Sequence, residues 1–205
     1  MELKNNKYLI LWEPSGILRA FIEKWKNKIY KVDPNAEYLN HLVHSTLYVF
    51  NSFEKEEYLI KELNVCVGNM KSFLIDIKNW KIFYNDVLTN SNTLTLEIKK
   101  NKHLFNVQKE VVNTLNKLRS NKIQYDNVIW KNEYLESYNR FGFPFVGVHW
   151  IPHITVASIS DNSGFNIEEA FDNKVNFLSV DFNALSLYSI DNNIHKKIKT
   201  FKIDN

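Results

Sequence analysis

The sequence predicts an α+β protein made of two similar lobes, and three observations predict it. Runs in which apolar and polar residues alternate are interleaved with stretches whose apolar residues recur every three or four positions. The series strand, helix, strand, helix, paired strands occurs in the first half and recurs loosely in the second. No low-complexity segment and no Gly-, Pro- or Ser-rich linker interrupts the chain, so one domain spanning residues 1–205 is expected.

The first run, Tyr8 to Trp12, is apolar throughout and closes at Glu13-Pro14, as a buried strand does. Ser15 stands where it can cap a helix whose Ile17, Leu18, Phe21, Ile22, Trp25 and Ile29 fall on one face. Val32-Asp33-Pro34-Asn35 is a turn. A second strand, His41 to Phe50, breaks at Asn51-Ser52. Asn51 and Glu54 then have capping-box spacing before a helix that turns Phe53, Leu59, Ile60 and Leu63 inward. Phe73 to Ile77, Trp80 to Tyr84 and Thr93 to Ile98 read as strands, with an Asn-rich link before the last. Leu104, Val107, Val111, Leu115 and Leu118 mark a third helix. Residues 121–140 have no dominant period apart from a short helical turn at Tyr134 to Tyr138. Pro152 opens a strand at its first residue, where the missing N–H does least harm. A short helix at Ile167 to Phe171, an alternating run from Asn176 to Ile190, a turn at Asp191-Asn192-Asn193 and a strand from Lys197 to Ile203 complete the chain.

The composition, 44% hydrophobic and 14% aromatic, excludes a disordered chain. A net charge of +3 gives a mild preference for anionic partners. Only three of the 26 basic residues are arginine (Arg19, Arg119 and Arg140), which argues against a groove for long duplex nucleic acid. A small substrate, or one gripped at an end, is expected instead. Cys66 is the sole cysteine, so no intrachain disulfide can form, as suits a reducing compartment. The apolar run after the first residues is far too short for a signal peptide or a membrane span. A cytoplasmic monomer without membrane contact is the expectation.

Two stretches carry the chemistry: His44-Ser45-Thr46-Leu47 and His153-Ile154-Thr155-Val156. On a strand, residues two apart leave on the same face, so each motif presents an imidazole beside a hydroxyl. Six histidines and seven threonines in this length should give about 0.2 His-x-Thr matches by chance, and two are present. This pair, 109 positions apart, resembles the signature of the two-histidine (2H) phosphoesterases, His-hydrophobic-Thr/Ser-hydrophobic occurring twice in a chain of about this length. That family includes bacterial RNA 2′,5′-ligase-like proteins and plant and fungal 2′,3′-cyclic phosphodiesterases. Ser45 departs from the pattern, standing where an apolar residue is usual. The resemblance covers most of the chain. It implies two lobes with antiparallel sheets around a central cleft, helices outside, and one motif per lobe.

A 2′,3′-cyclic phosphate opens when a base takes a proton from water and an acid protonates the departing ribose oxygen. The two must stand on opposite sides of the phosphorus. Histidine suits both tasks, because its ordinary pKa near ~6.5 keeps both protonation states accessible. We assign His153 as base and His44 as acid, the reverse remaining open, with Thr46 and Thr155 donating to the phosphate oxygens. The scheme needs no metal and no cofactor. Opening would leave a 2′-phosphate; cleavage of a 2′,5′ linkage is the related activity. Two alternatives are hydrolysis of cyclic or 2′,5′-linked oligonucleotide immune signals, and non-catalytic binding of RNA ends.

Further candidates surround the motifs. Arg140 and Phe143 lie in an aromatic stretch before the second motif, followed by Trp150, and could stack on a base or pair with its phosphate. Tyr48 follows Thr46 on the strand, Trp12 ends a neighbouring one, and Tyr188 lies in the last alternating run. These aromatics fit a cleft wall or the core equally. Metal-like spacings do not hold: His41 and His44 leave a strand on opposite faces, and Pro152 bars a helix through His149 and His153. Gly142 and Gly147 have P-loop spacing without the following Lys-Ser/Thr. Cys66 reads as a small buried residue, and the Lys99-Lys100 and Lys196-Lys197 patches as solvated faces.

Overall fold

The structure, a computed structural model, describes residues 4–125, 128–173, 175, 179–192 and 194–204. Its elements run β1 (Asn6–Trp12), α1 (Gly16–Tyr30), β2 (Ser45–Ser52), α2 (Glu56–Gly68), β3 (Phe73–Ile75), β4 (Ile77–Asp86), β5 (Ser91–Ile98), α3 (Lys102–Asn116), α4 (Asn132–Phe141), β6 (His153–Ile159), β7 (Val180–Phe182), β8 (Ala184–Asp191) and β9 (Ile194–Lys202). Short 3₁₀ turns lie at Gly147–His149 and Ile167–Asp172. Among the described residues no helix is long and apolar enough to cross a membrane.

Two antiparallel sheets dominate. The first has the order β2-β1-β8-β9 and the second β4-β5-β6, while β3 and β7 pair as a small ribbon. The sheets do not correspond to halves of the chain, because the first takes strands from both ends and the second from the middle. In β1 every residue from Tyr8 to Trp12 is buried, since it is a central strand covered on both faces.

The helices cross over. α1 follows β1 of the first sheet yet packs on the second, where Trp25 meets Trp80 of β4 edge-on at 5.1 Å and Phe21 lies 5.5 Å from the same ring. α3 packs on β2 and on α2, and α2 in turn on β9. Neither sheet is therefore covered by its own sequence neighbours alone, and the buried side chains form one continuous cluster.

Local signals were met in part. Ser15 is the N-cap of α1 but its side chain makes no capping bond, whereas Asn101 caps α3 by accepting from the Leu104 N–H at 2.8 Å. The expected Asn51–Glu54 box does not form, because the chain at Asn51 is still in β2. Asn51 instead donates to the Lys122 carbonyl, and the Ser52 hydroxyl accepts from the Glu54 N–H. Ile17 and Phe53 are exposed rather than inward-facing, at 78% and 44%, each preceding the first buried turn of its helix. The helical turn expected at Tyr134 extends to α4, which stops at Gly142. That residue adopts φ 70°, and a Cβ there would sit 2.6 Å from the Arg119 side chain. The alternating run read from Asn176 breaks at Asn183 into β7 and β8; its residues 176–178, like Asn193 of the following turn, lie outside the described residues.

Between the sheets, β2 and β6 lie against each other. Two buried side chains tie their approaches together. The Gln108 amide of α3, 1% exposed, donates to the carbonyls of Leu47 at 3.1 Å and Phe145 at 3.2 Å and accepts from the Gly147 N–H at 3.0 Å. The Trp150 indole donates to the Thr46 carbonyl at 3.0 Å. Replacing Gln108 by Ala leaves those two carbonyls and that N–H without their partner. The expected loss is about 2–3 kcal/mol in urea denaturation. A loss below about 0.5 kcal/mol, typical of an inconsequential surface change, would show the bridge to be idle.

Candidate active site

The two His-x-Thr stretches are built alike. His44 immediately precedes β2 and His153 begins β6; His44, Thr46, His153 and Thr155 are all half-buried. The intervening residues, Ser45 and Leu47 in one stretch and Ile154 and Val156 in the other, are buried. Ser45, the departure from the apolar pattern, thus still faces the core. Both strands then lose register at the same relative place. Ile10 pairs with Tyr48 and Leu11 with Thr46, which leaves Leu47 as an extra residue. Leu94 pairs with Ala157 and Thr95 with Thr155, which leaves Val156 extra. A bulge three residues after each histidine ends the alternation there and bends the strand away.

Both rings are held the same way. Nδ1 of His44 donates to the Leu42 carbonyl at 2.8 Å, and Nδ1 of His153 to the Ile151 carbonyl at 2.6 Å. A carbonyl can only accept, so the proton of the neutral ring sits on Nδ1 in each case. Nε2 is left as the atom that can take up or give a proton.

The charges around the two rings differ. Burial pushes His44 down to about 4; the Leu42 carbonyl opposes this, while His195, His41 and Lys26 add to it. The rings of His195 and His44 lie 6.0 Å apart, nearly perpendicular, and those of His195 and His41 4.9 Å apart. Lys26 of α1 is 6% exposed, and its ammonium donates to the carbonyls of Tyr38, Leu39 and His41. It thereby holds the loop leading to Leu42, including Tyr38 in the left-handed region at φ 67°. Burial lowers Lys26 to about 8. His153 is also lowered by burial, opposed by the Ile151 carbonyl and by the carboxylates of Asp86 and Glu97, with Lys81 acting downward. Glu97 pairs with His153 across the β5–β6 ladder and forms ion pairs with Lys78 at 3.1 Å and Lys81 at 3.5 Å. The Phe83 ring stands edge-on to His153 at 5.2 Å.

The other residues singled out in the sequence lie mostly in the core. Tyr48 is fully buried and donates to the Phe141 carbonyl at 2.6 Å, because the bulge at Leu47 takes it off the face of Thr46. Trp12 is buried and stacks on Phe182 at 5.9 Å. Phe143 is buried with its ring edge-on to Tyr48, and Trp150 is buried beside Phe105. Trp150 still belongs to the region through its bond to Thr46. Arg140 is exposed and lies over the Phe141 ring at 5.0 Å. Tyr188 is buried on β8 beneath Lys197, whose ammonium is 5.5 Å from its ring and 2.8 Å from Glu13. Sequence reasoning passed over Gln108, Lys26 and His195, and it set His41 aside by placing it on one strand with His44, whereas β2 begins only at Ser45 and His41 lies in the loop before it. Gln108 and Lys26 had a signal, being polar residues within an apolar helical stripe. His195 had none, because it comes from a segment far from the motifs in the chain. Among the described residues no three His, Cys, Asp or Glu side chains are grouped so as to hold a metal ion.

No family model matches the sequence, and no curated protein matches it either. Solved structures do match over nearly the whole length. E. coli LigT complexed with 3′-AMP aligns with a TM-score of 0.58 at 11% identity, covering 98% of this chain and 100% of that one. TT0787 of Thermus thermophilus aligns at 0.57 and 11% identity, covering 96% and 97%. Kluyveromyces marxianus Usb1 aligns at 0.51 and 10% identity, covering 98% and 99%. Two antiparallel sheets, one His-x-Thr stretch at the start of a strand in each, and these alignments together give the chain the fold of the two-histidine phosphoesterases.

Proposed function

We propose that this protein is a metal-independent phosphodiesterase that opens the 2′,3′-cyclic phosphate of an RNA-derived nucleotide to a 2′-phosphate, or cleaves a 2′,5′ linkage, as one bilobal catalytic unit. One observation carries the reading. Two imidazoles in equivalent stretches are each tethered through Nδ1 to the carbonyl two residues back, which leaves both Nε2 atoms available for the proton transfers this reading needs. Nε2 of one ring takes a proton as water attacks phosphorus. Nε2 of the other gives a proton to the ribose 3′ oxygen as the P–O3′ bond breaks. Thr46 and Thr155, one beside each ring, donate to the non-bridging oxygens.

The surrounding charges favour His44 as base and His153 as acid, the reverse of the expectation from sequence. His195, His41 and Lys26 disfavour a proton on His44, so that ring is neutral and ready to accept one. Asp86 and Glu97 favour the protonated form of His153, as an acid requires. The likeness of the fold to LigT, which binds 3′-AMP in one of its structures, supports a nucleotide-sized substrate.

Replacing His44 or His153 by Ala should lower turnover of 2′,3′-cyclic AMP by at least about 10²-fold. Replacing Thr46 or Thr155 by Val should cost about 10²-fold. Chromatography of EDTA-treated protein with 2′,3′-cyclic AMP, a 2′,5′-linked oligoadenylate and cyclic dinucleotides reads the substrate class. Binding without product from any of them would leave an RNA-end binder instead. The pH profile of kcat/KM reads the free enzyme's groups. With His44 as base, activity should persist on the acid side down to about pH 4, well below the ordinary imidazole range, and fall as that ring protonates. Glu97→Gln removes a charge that favours imidazolium at His153, so the alkaline limb should move to lower pH while the acid limb stays in place. An acid limb that moves with Glu97 instead would reverse the two roles.

A further inference from the structure

We infer that His41 and His195 form a second anion-binding subsite beside His44, which takes a second phosphate of the substrate, one nucleoside away from the phosphate that reacts. This rests on the reading above and narrows its substrate class to nucleotides that carry phosphate at two positions.

Three imidazoles from two distant segments converge there. His41 and His44 come from the loop before β2, and His195 comes from β9. His195 lies between the other two, 4.9 Å from His41 at an inclination of 59° and 6.0 Å from His44 at 85°. His41 and His195 are both half-buried. His41 also lines a surface pocket of about 250 Å³ with Arg19, Glu23, Lys26 and Asn27, where the Glu23 carboxylate is paired with the Arg19 guanidinium at 2.8 Å.

The charges that act on the trio all have one sign. His41 feels His195 and Lys26; His44 feels His195, His41 and Lys26; His195 feels Lys7. Elsewhere several basic groups have carboxylate partners: Glu13 for Lys197, Glu97 for Lys78 and Lys81, Asp76 for Lys99. Among the described residues the charges that act directly on the three rings include no carboxylate, which makes an anion the fitting ligand. A metal cation fits poorly, because the Lys26 ammonium adjoins His41 and the three rings are not grouped as ligands. An anion there stabilises imidazolium on His41 and His195, so each can give it a charge-assisted hydrogen bond. Because proton uptake accompanies binding, the affinity is present at low pH and lost as pH rises through the pKa values of the occupied site.

Calorimetric titration of the intact protein with 3′-AMP and with adenosine 3′,5′-bisphosphate tests the subsite without needing turnover. The bisphosphate should bind about tenfold more tightly at pH 6, and the advantage should fall below about twofold at pH 8. The dinucleotide ApAp, whose second phosphate is the internucleotide link, distinguishes a terminal phosphate from a backbone one as the occupant. His41→Asn or His195→Asn should each abolish the advantage. If a variant does not fold, the ring resonances of His41 and His195 in the wild-type protein serve instead, and should move downfield with the bisphosphate at pH 6 as the rings protonate. Equal affinities for the one- and two-phosphate ligands at pH 6, or an advantage untouched by both substitutions, would overturn the inference. Hydrolysis of 2′,3′-cyclic AMP is scored separately. Hydrolysis without the bisphosphate advantage defeats the subsite alone, and the advantage without hydrolysis defeats only the proposed reaction.

Discussion

A single buried amide holds the region of the two motifs together. Gln108 faces a carbonyl of the first motif strand on one side and the backbone that leads to the second on the other, and it uses both its oxygen and its nitrogen to do so. Such a group is costly to bury unless every donor and acceptor finds a partner, so it admits few alternative arrangements of the two strands. The Trp150 indole makes the same kind of link one turn later, from the approach of β6 to the backbone of Thr46. Residues brought together from positions 46–47 and 145–150 thus owe their proximity to directional bonds as well as to apolar packing.

The motifs are copies in geometry and differ in the charges around them. Each histidine precedes a bulge, and each donates Nδ1–H to the carbonyl two residues back. What separates them is their neighbours. Only positive groups, Lys26, His41 and His195, act on one ring, while the carboxylates of Asp86 and Glu97 act on the other together with Lys81. Two identical side chains in identical local settings can therefore differ in the proton they prefer, which is what a reaction with one base and one acid requires.

Lys26 shows how a helix contributes to a site it does not enter. In the stripe Ile22, Trp25, Lys26 and Ile29 the lysine occupies a buried position. Its ammonium has three protons, and three carbonyls of the Tyr38–His41 loop receive them. The loop ends at Leu42, whose carbonyl orients His44, so the helix acts on the imidazole through the backbone as well as through its charge.

The alternation of apolar residues, the helical stripes and the repeated His-x-Thr pattern were enough to determine an α+β chain with one His-x-Thr stretch in each of two strand runs, because local periodicity and side-chain chemistry are written in consecutive residues. The exposed and buried faces at His44-Ser45-Thr46 and His153-Ile154-Thr155 followed directly from that period. The period stops being informative at Leu47 and Val156, where a bulge depends on the partner strand. Tyr48 consequently went to the core although simple alternation put it beside Thr46. Trp12, Phe143 and Trp150 went there too, since an aromatic ring near a motif in sequence reveals nothing about which side of a sheet is covered. Which strands share a sheet, which helix crosses to the other sheet, and which charges surround each imidazole were decided by tertiary structure alone. Those charges come from positions as far apart as Lys26 and His195, and Coulomb interaction depends on distance in space, which the order of residues does not record.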